Sequence, residues 1–201
     1  MDLSFRFDSW WKSLPASPKG SGTVEGLVLR PMGGPPGSRE LPEVLRMNPR
    51  EGIVGDRWVE DDQPRDAQVS LINVHVLRSL AGDLEAGAAT GDNLQVDLAL
   101  DEASLPVGTH LAVGSVILRV GSTPHRPCAL FVERLGARAA KRVARSNRVG
   151  QRGRGVMCEV VVGGEVRVGD RIQVVVEDQV PAGEQPPMLS DPGGQVPKVS
   201  S

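Results

Sequence analysis

The chain is 201 residues long, with 23 Lys+Arg against 25 Asp+Glu and a formal net charge of -2. That length suits one domain with tails, and the charge gives no global pull toward nucleic acid or anionic membrane. Apolar residues make up 39% and charged residues 24%, which argues against wholesale disorder. Aromatics are only 3% and Tyr is absent, while Gly (24) and Pro (16) are frequent. The core must therefore be built from Val, Leu, Ile and Ala, and the chain must turn often, as a β-rich fold does and a helical bundle does not.

In chain order, residues 1–22 read as an N-terminal extension and linker. Residues 1–12 contain no uninterrupted apolar stretch, so they are not a secretory signal. Phe5, Phe7, Trp10 and Trp11 are compatible either with an amphipathic turn docked on the domain or with a frayed end. Residues 12–22 are polar and rich in Pro, Gly and Ser, as linkers are. The domain is expected over 23–177, opening with a strand near Val24. Further strands are predicted over 68–72, 93–98, 115–120, 157–162 and 171–176, with a helix over 73–81 directly after the first of these. A second helix is predicted from Cys128 to about Ser146. Leu130, Phe131, Leu135, Ala139 and Val143 fall near helical spacing there, and Gly136 should split it. Residues 178–201 have no hydrophobic period and read as a disordered tail. No window approaches the roughly 18 apolar residues of a spanning helix, so no membrane partner is expected. Two cysteines, Cys128 and Cys158, cannot form a disulfide framework, and a reducing cytoplasm is the expected location.

One internal echo stands out. Residues 107–117 and 162–172 both read Val-Gly-x-x-[Leu/Val]-x-Val-Gly-[Ser/Asp]-x-Ile. Two units are too few for a solenoid, so the echo predicts two glycine-marked corners of one barrel.

The sharpest local chemistry is Thr123-Pro124-His125-Arg126-Pro127-Cys128. A thiol that opens a helix benefits from the helix dipole and free N–H groups. His125 and Arg126 are placed to add positive charge, which would make Cys128 a nucleophile or a soft metal ligand. The alternative is a small apolar filler. Cys158 sits inside the alternating strand around Val156–Val161 and reads as core. A zinc site is not expected, since His125-x-x-Cys128 plus a distant Cys158 lacks the paired ligand spacing. From Arg134 to Arg154 there are eight basic residues and no acid. These form either a solvated face or an anion site beside Cys128. Nucleic acid is disfavoured by the overall charge and the lack of stacking aromatics nearby. Asp56, Asp92 and His75 show no triad or dyad spacing.

Taken together, Gly52-Ile53-Val54-Gly55-Asp56-Arg57, Gln68-Val69-Ser70-Leu71-Ile72-Asn73, Gly91-Asp92-Asn93-Leu94, Leu105-Pro106-Val107-Gly108, Thr123-Pro124-His125-Arg126-Pro127-Cys128 and Arg154-Gly155-Val156 resemble, in this order, the motifs of the MOSC domain family. This is the C-terminal domain of molybdenum cofactor sulfurases, and the chain is similar to its small stand-alone bacterial members. The resemblance implies a mostly β fold, a partly closed MOSC-type β-barrel with a few peripheral helices. It also implies that Cys128 is the sulfur-carrying or molybdenum-ligating cysteine. Pyridoxal phosphate is not expected in this chain, since only about 20 residues precede the barrel where fused sulfurases carry a desulfurase domain. One position departs from the pattern: Ala67 stands where many members have Arg, and Arg65 lies two residues away.

Three functions follow as expectations. The first is a molybdenum-cofactor protein that reduces N-hydroxylated compounds. In it Cys128 ligates the metal, His125 takes part in catalysis, and Arg57, Asn93, Arg126, Arg148, Arg152 and Arg154 hold the cofactor. Arg154 is the favoured phosphate clamp. The second is a sulfur carrier that holds a persulfide on Cys128. The third is a non-catalytic binding module. A small-molecule cofactor or substrate is the expected partner, together with a cysteine desulfurase or a redox protein.

Overall fold

The computed structural model describes residues 9–61 and 63–176. The expected C-terminal tail and the aromatic residues Phe5 and Phe7 lie outside the described residues. In chain order the elements are β1 (Ser21–Leu27), β2 (Val44–Asn48), β3 (Gly52–Ile53), β4 (Val69–Asn73), α1 (Val74–Ala81), α2 (Leu84–Gly87), β5 (Leu94–Asp97), β6 (His110–Val113), β7 (Val116–Val120), α3 (Ala129–Arg148), β8 (Val156–Val162), β9 (Gly164–Arg167) and β10 (Arg171–Val175). The strands predicted from sequence are present within a few residues of their expected bounds.

Seven strands form a closed barrel in the order β1-β10-β6-β7-β8-β4-β5. The mostly β barrel with a few helices expected from the sequence is present, and its closure is complete. β1 pairs with β10 through Ser21, Gly22 and Thr23, and with β5 through Thr23, Val24, Gly26 and Leu27. One strand thus seals both edges, with a register shift between Val24 and Gly26 that lets it bend from one neighbour to the other. Gly22 and Gly26 permit this close approach: a Cβ on Gly22 would fall 1.9 Å from the Asp97 carbonyl oxygen. β2, β3 and β9 form a separate three-stranded sheet.

Among the described residues, only β4 and β5 pair in parallel, which requires a crossover connection. α1 and α2 supply it. Asn73 ends β4 and caps α1: its Oδ1 accepts from the His75 and Val76 backbone N–H groups. This explains why a strand runs directly into a helix. The barrel interior is filled by the apolar alternates of each strand, among them Leu111, Val113, Leu118, Val120, Val160 and Ile172, all nearly or fully buried. Burying each such side chain contributes about 1.5–3 kcal/mol before the entropy of ordering is subtracted.

A second apolar cluster lies outside the barrel and joins Trp10, Val76, Phe131, Ala139, Ala140 and Val143. It settles the two readings of the aromatic N-terminal segment in favour of docking, as far as Trp10 is concerned. α3 breaks at Gly136, where φ is 81° and ψ 160°, as its glycine predicts. Leu130, expected on the buried face, is exposed instead, because the part of α3 before the break packs through Phe131.

The sequence echo has a structural meaning. In the first unit Gly114 turns β6 into β7. In the second, Gly169 carries the chain from β9 of the small sheet into β10 of the barrel. The second corner is therefore a junction between two sheets and not a corner within the barrel. The units meet, since a Cβ on Gly114 would lie 2.5 Å from both Asp170 Oδ2 and the Glu165 carbonyl oxygen.

Candidate functional site

Residues 121–128 connect β7 to α3, and three anchors fix their path. The Asp66 carboxylate accepts from the Ser122 backbone N–H and Oγ (both 2.8 Å), from the Thr123 backbone N–H (3.0 Å) and from Thr123 Oγ1. These bonds hold the Asp66 carboxyl below the usual range, against the opposing effect of its partial burial. Asn147 Nδ2 donates to the His125 carbonyl at 2.7 Å, and its Oδ1 accepts from the Arg154 N–H at 3.2 Å. His125 itself is buried against Asp92, with Nε2 3.5 Å from Oδ1. The loop ends at Cys128, the N-cap of α3, which is exposed and whose side chain makes no capping hydrogen bond.

Cys158 is the opposite case. It lies fully buried in β8, and burial pushes its thiol up to about 12. Of the two cysteines, only Cys128 can meet a ligand or reagent from solvent.

The expected roles of His125 and Arg154 change. Burial, reinforced by Arg154, pushes His125 down to about 3 despite the opposing pull of Asp92. His125 is therefore neutral and adds no positive charge beside Cys128. Asp92 beside Nε2 favours the proton on that nitrogen, and Nδ1 is buried without a hydrogen-bond partner. Arg154 is 3% exposed, and its Nη1 donates to both Asp92 oxygens at 2.5 and 2.6 Å. Its guanidinium also lies 4.8 Å from the Phe131 ring centroid. Burial, the largest single influence, would raise the Asp92 carboxyl, but Arg154, His125 and Thr90 together hold the group below the usual range. The charge of Arg154 is thus met inside the protein, and this residue braces Asp92 instead of reaching for a phosphate.

Asn93 is also committed internally. Its Oδ1 accepts from Ser70 N–H and Oγ, and its Nδ2 donates to the Val28 carbonyl and Asp56 Oδ2. Asp56 in turn takes Arg30 through two side-chain bonds, Nη2 to Oδ1 at 2.6 Å and Nε to Oδ2 at 3.1 Å. The Gly-Asp-Arg and Gly-Asp-Asn motifs, which read as turns, meet at the Asp56–Asn93 contact.

Around this contact the fold gathers Arg30, Arg39, Arg57 and Arg134. Arg39 is driven down to about 10, first by burial and then by repulsion from Arg134, Arg30 and Arg57. Asp56 is the acid that opposes this, and it is already paired with Arg30. Arg57 Nη2 donates to the Gly34 carbonyl, and Arg134 donates to the Ala89 and Gly37 carbonyls. The Nε atoms of Arg39 and Arg57 are buried without hydrogen-bond partners. Gly37 and Gly91, both at positive φ, leave the room these guanidiniums need: a Cβ there would come within 2.0 Å of Arg134 Nη2 and 2.6 Å of Arg39 Nη2. Partly buried, mutually repelling arginines are a poor arrangement for stability and a good one for an anion. Arg134 lies on the helix that Cys128 caps, and the charge of Arg30 reaches His125.

Of the other expected cofactor residues, Arg126 and Arg148 are exposed. Arg152 donates to the Leu105 carbonyl and lines cavities away from the cluster. Arg65 pairs with Glu159 and donates to the Pro49 carbonyl, so it does not replace the arginine absent at position 67. Sequence reasoning missed Arg30, Arg39, Asp66 and Asn147. None belongs to a recognisable motif, and their signal exists only once the barrel closes. Among the described residues no group of three or more His, Cys, Asp or Glu is placed to hold a metal ion, so Cys128 is the one soft ligand on offer here.

The family model for the MOSC domain matches residues 38–173, a span that contains Cys128 and most of the arginine cluster. The chain belongs to the MOSC domain family. The fold of this MOSC protein is similar to that of the YuaD protein from Bacillus subtilis, with a TM-score of 0.57 and 20% identity, covering 79% of this chain and 97% of that one. It is also similar to YiiM from Geobacillus stearothermophilus, with a TM-score of 0.52 and 16% identity over 80% of this chain and 78% of that one. At these identities the likeness concerns the fold alone. No curated protein matches the sequence. No helix among the described residues is long and apolar enough to cross a membrane.

Proposed function

We propose that this MOSC protein binds a molybdenum cofactor and uses it to reduce N-hydroxylated compounds in the cytoplasm. The observation that carries the reading is the pairing of an exposed helix-capping thiol, Cys128, with a four-arginine cluster whose acid, Asp56, is already taken by Arg30. The residues fit the group. Cys128 would supply a soft thiolate to the metal. Arg39, Arg57 and Arg134 would hold the pterin phosphate through planar, charge-assisted contacts, and the unpartnered Nε groups of Arg39 and Arg57 have donors to give. When bound, the cofactor supplies two-electron redox chemistry. His125 stays neutral and buried beside the site, and Asp92 and Arg154 fix its orientation. Asp66 and Asn147 hold the backbone that carries His125 and Cys128.

The exposure of Cys128 also supports a second reading, a carrier that receives sulfur on this thiol from a cysteine desulfurase. It needs no arginine cluster, which is why we place it second.

The test is metal and pterin content of protein from a cofactor-competent host. The expected result is molybdenum with pterin in the wild type and loss of molybdenum in Cys128→Ser. Pterin should fall at least about tenfold in Arg39→Met or Arg134→Met, as loss of a charged contact worth about 2 kcal/mol requires. Lys141→Met, on the exposed face of α3, should retain both. Pterin content equal in all variants, or no molybdenum in any, would reject the cofactor reading. A persulfide on Cys128 in that same protein would then support the carrier.

A further inference from the structure

A cavity of about 300 Å³ lies between the N-terminal segment and the end of the barrel, away from the arginine cluster. The segment over 11–19 forms one wall. It is stitched down where Asn73 Nδ2 donates to Ser17 Oγ at 2.7 Å and where the Ala99 N–H donates to the Pro18 carbonyl at 2.9 Å. The opposite wall includes Leu100, Asp101 and Arg152. This volume is at the small end of the range that accepts organic ligands.

Its chemistry is two-sided. Trp11, Leu14 and Leu100 give an apolar surface, while Lys12, Lys19 and Arg152 give three cations. Among the described residues none of these cations forms a salt bridge. The lining's acid, Asp101, is close enough to Lys19 for the lysine to favour its charge. Its own oxygens, however, accept from Ser104 N–H, Ser104 Oγ and Ala103 N–H. Positive charge therefore remains in excess along an apolar wall.

Arg152 gives the second observation. It is the one non-glycine residue among those described at positive φ, 48°. An L-residue there costs on the order of 1 kcal/mol, and Gly would avoid it. Gly153 and Gly155 flank it closely, so the turn does not lack glycine. Among the described residues, the guanidinium nitrogen with a hydrogen-bond partner is Nη1, which donates to the Leu105 carbonyl. A strained backbone thus carries a long cationic side chain to the cavity wall, where a glycine would serve the fold better.

We infer that this cavity binds a small carboxylate with an apolar, preferably aromatic, body, with the carboxylate at Arg152 and the body against Trp11, Leu14 and Leu100. The inference does not depend on the cofactor reading and concerns different residues from the arginine cluster.

The test uses benzoate, its neutral isostere benzamide, and inorganic phosphate as an anion without an apolar body. Binding is followed by calorimetry and by amide chemical shifts of the full chain. Benzoate should bind once and saturably, shifting amides over 14–19 and 150–153. Benzamide and phosphate should each bind at least about tenfold more weakly at these amides, since one charge-assisted contact is worth about 1.4 kcal/mol or more. Arg152→Gly relieves the backbone and should keep or raise the thermal midpoint while weakening benzoate at least about tenfold. The Lys12→Met/Lys19→Met double variant leaves that turn untouched and should weaken benzoate several-fold. Equal affinity for benzoate and benzamide, undiminished benzoate binding in either variant, or no saturable shift at 14–19 would overturn the proposal. Phosphate shifting only amides near Arg39 and Arg134 would report on the arginine cluster and leave this result unaffected.

Discussion

Arg154 and Asp92 lie 62 residues apart in the chain and meet in a buried pair, one guanidinium nitrogen bonded to both carboxylate oxygens. The pair joins the strand end at β8 to the turn before β5 and supports His125 between them. Removing one partner leaves the other charged and dry. Arg154→Ala should therefore destabilise the protein by about 3–5 kcal/mol. Asp92→Asn with Arg154→Met should recover part of that loss, because it removes both charges and keeps most of the volume. Urea denaturation of the three proteins tests this. A double variant no more stable than Arg154→Ala would mean that the pair is not the source of the loss. Cofactor loss in Arg154→Ala alone is then no measure of phosphate binding.

This pair also shows where sequence reading stops. Gly91-Asp92-Asn93 reads as a turn because Gly-Asp-Asn is turn composition, and the turn is there. What the composition does not encode is that Asp92 faces inward to Arg154 while Asn93 faces Asp56. The barrel strands were legible because alternation of buried and exposed residues is a local pattern, as in Leu111, Val113 and Leu118, Val120. The break at Gly136 was legible because glycine disfavours a helix interior. Closure of the barrel was not, since it depends on β1 bending between two neighbours. The arginine cluster was not legible either. It draws one arginine from each of four separate segments, and of these only Arg57, in its motif, and Arg134, in the basic run, stand out in the sequence.

The two thiols should differ sharply in reactivity. Cys128 is exposed at a helix start, while Cys158 is buried in β8 with its thiol pushed up to about 12. Such a pKa leaves roughly one thiol in ten thousand ionised at pH 8, before access is considered. Limiting iodoacetamide at pH 8, mapped by mass spectrometry, should label Cys128 almost exclusively. Labelling of Cys158 at a comparable rate would show that the barrel opens in solution.

Trp10 should be worth far more than a residue of a frayed end. It is 8% exposed, and it packs with Phe131, Ala139, Ala140 and Val143. Arg142 lies 5.1 Å over its ring, and its Nε1 donates to Ser79 Oγ at 3.3 Å. Truncation of a buried aromatic side chain costs about 3–5 kcal/mol. Trp10→Ala should lower stability by that amount, read from urea unfolding. A loss under about 1 kcal/mol would mean that the segment is dispensable to α3.

His125 gives a pH dependence with a definite sign. Its folded value is pushed down to about 3, while the unfolded chain has the ordinary value of 6.5. As pH falls below 6.5, the unfolded state takes up a proton that the folded state refuses. Stability therefore declines as pH is lowered, beginning near 6.5 and continuing toward 3. The groups facing His125 set this: Arg154 and Arg30 disfavour its charge, and Asp92 favours it less than burial and those arginines oppose it. Between pH 6.5 and 4.5 the slope approaches about 1.4 kcal/mol per pH unit, a loss of about 2 kcal/mol over the interval. Below about pH 4, Asp66 and Asp92 add to the decline, since their folded carboxyls are held below the ordinary value of 3.8. His125→Gln cannot titrate and should be nearly flat from pH 6.5 to 4.5, whatever its stability at pH 7. Urea midpoints at half-unit intervals distinguish the two. If the variant shows the same slope as the wild type, His125 is not held neutral and buried beside the Asp92–Arg154 pair.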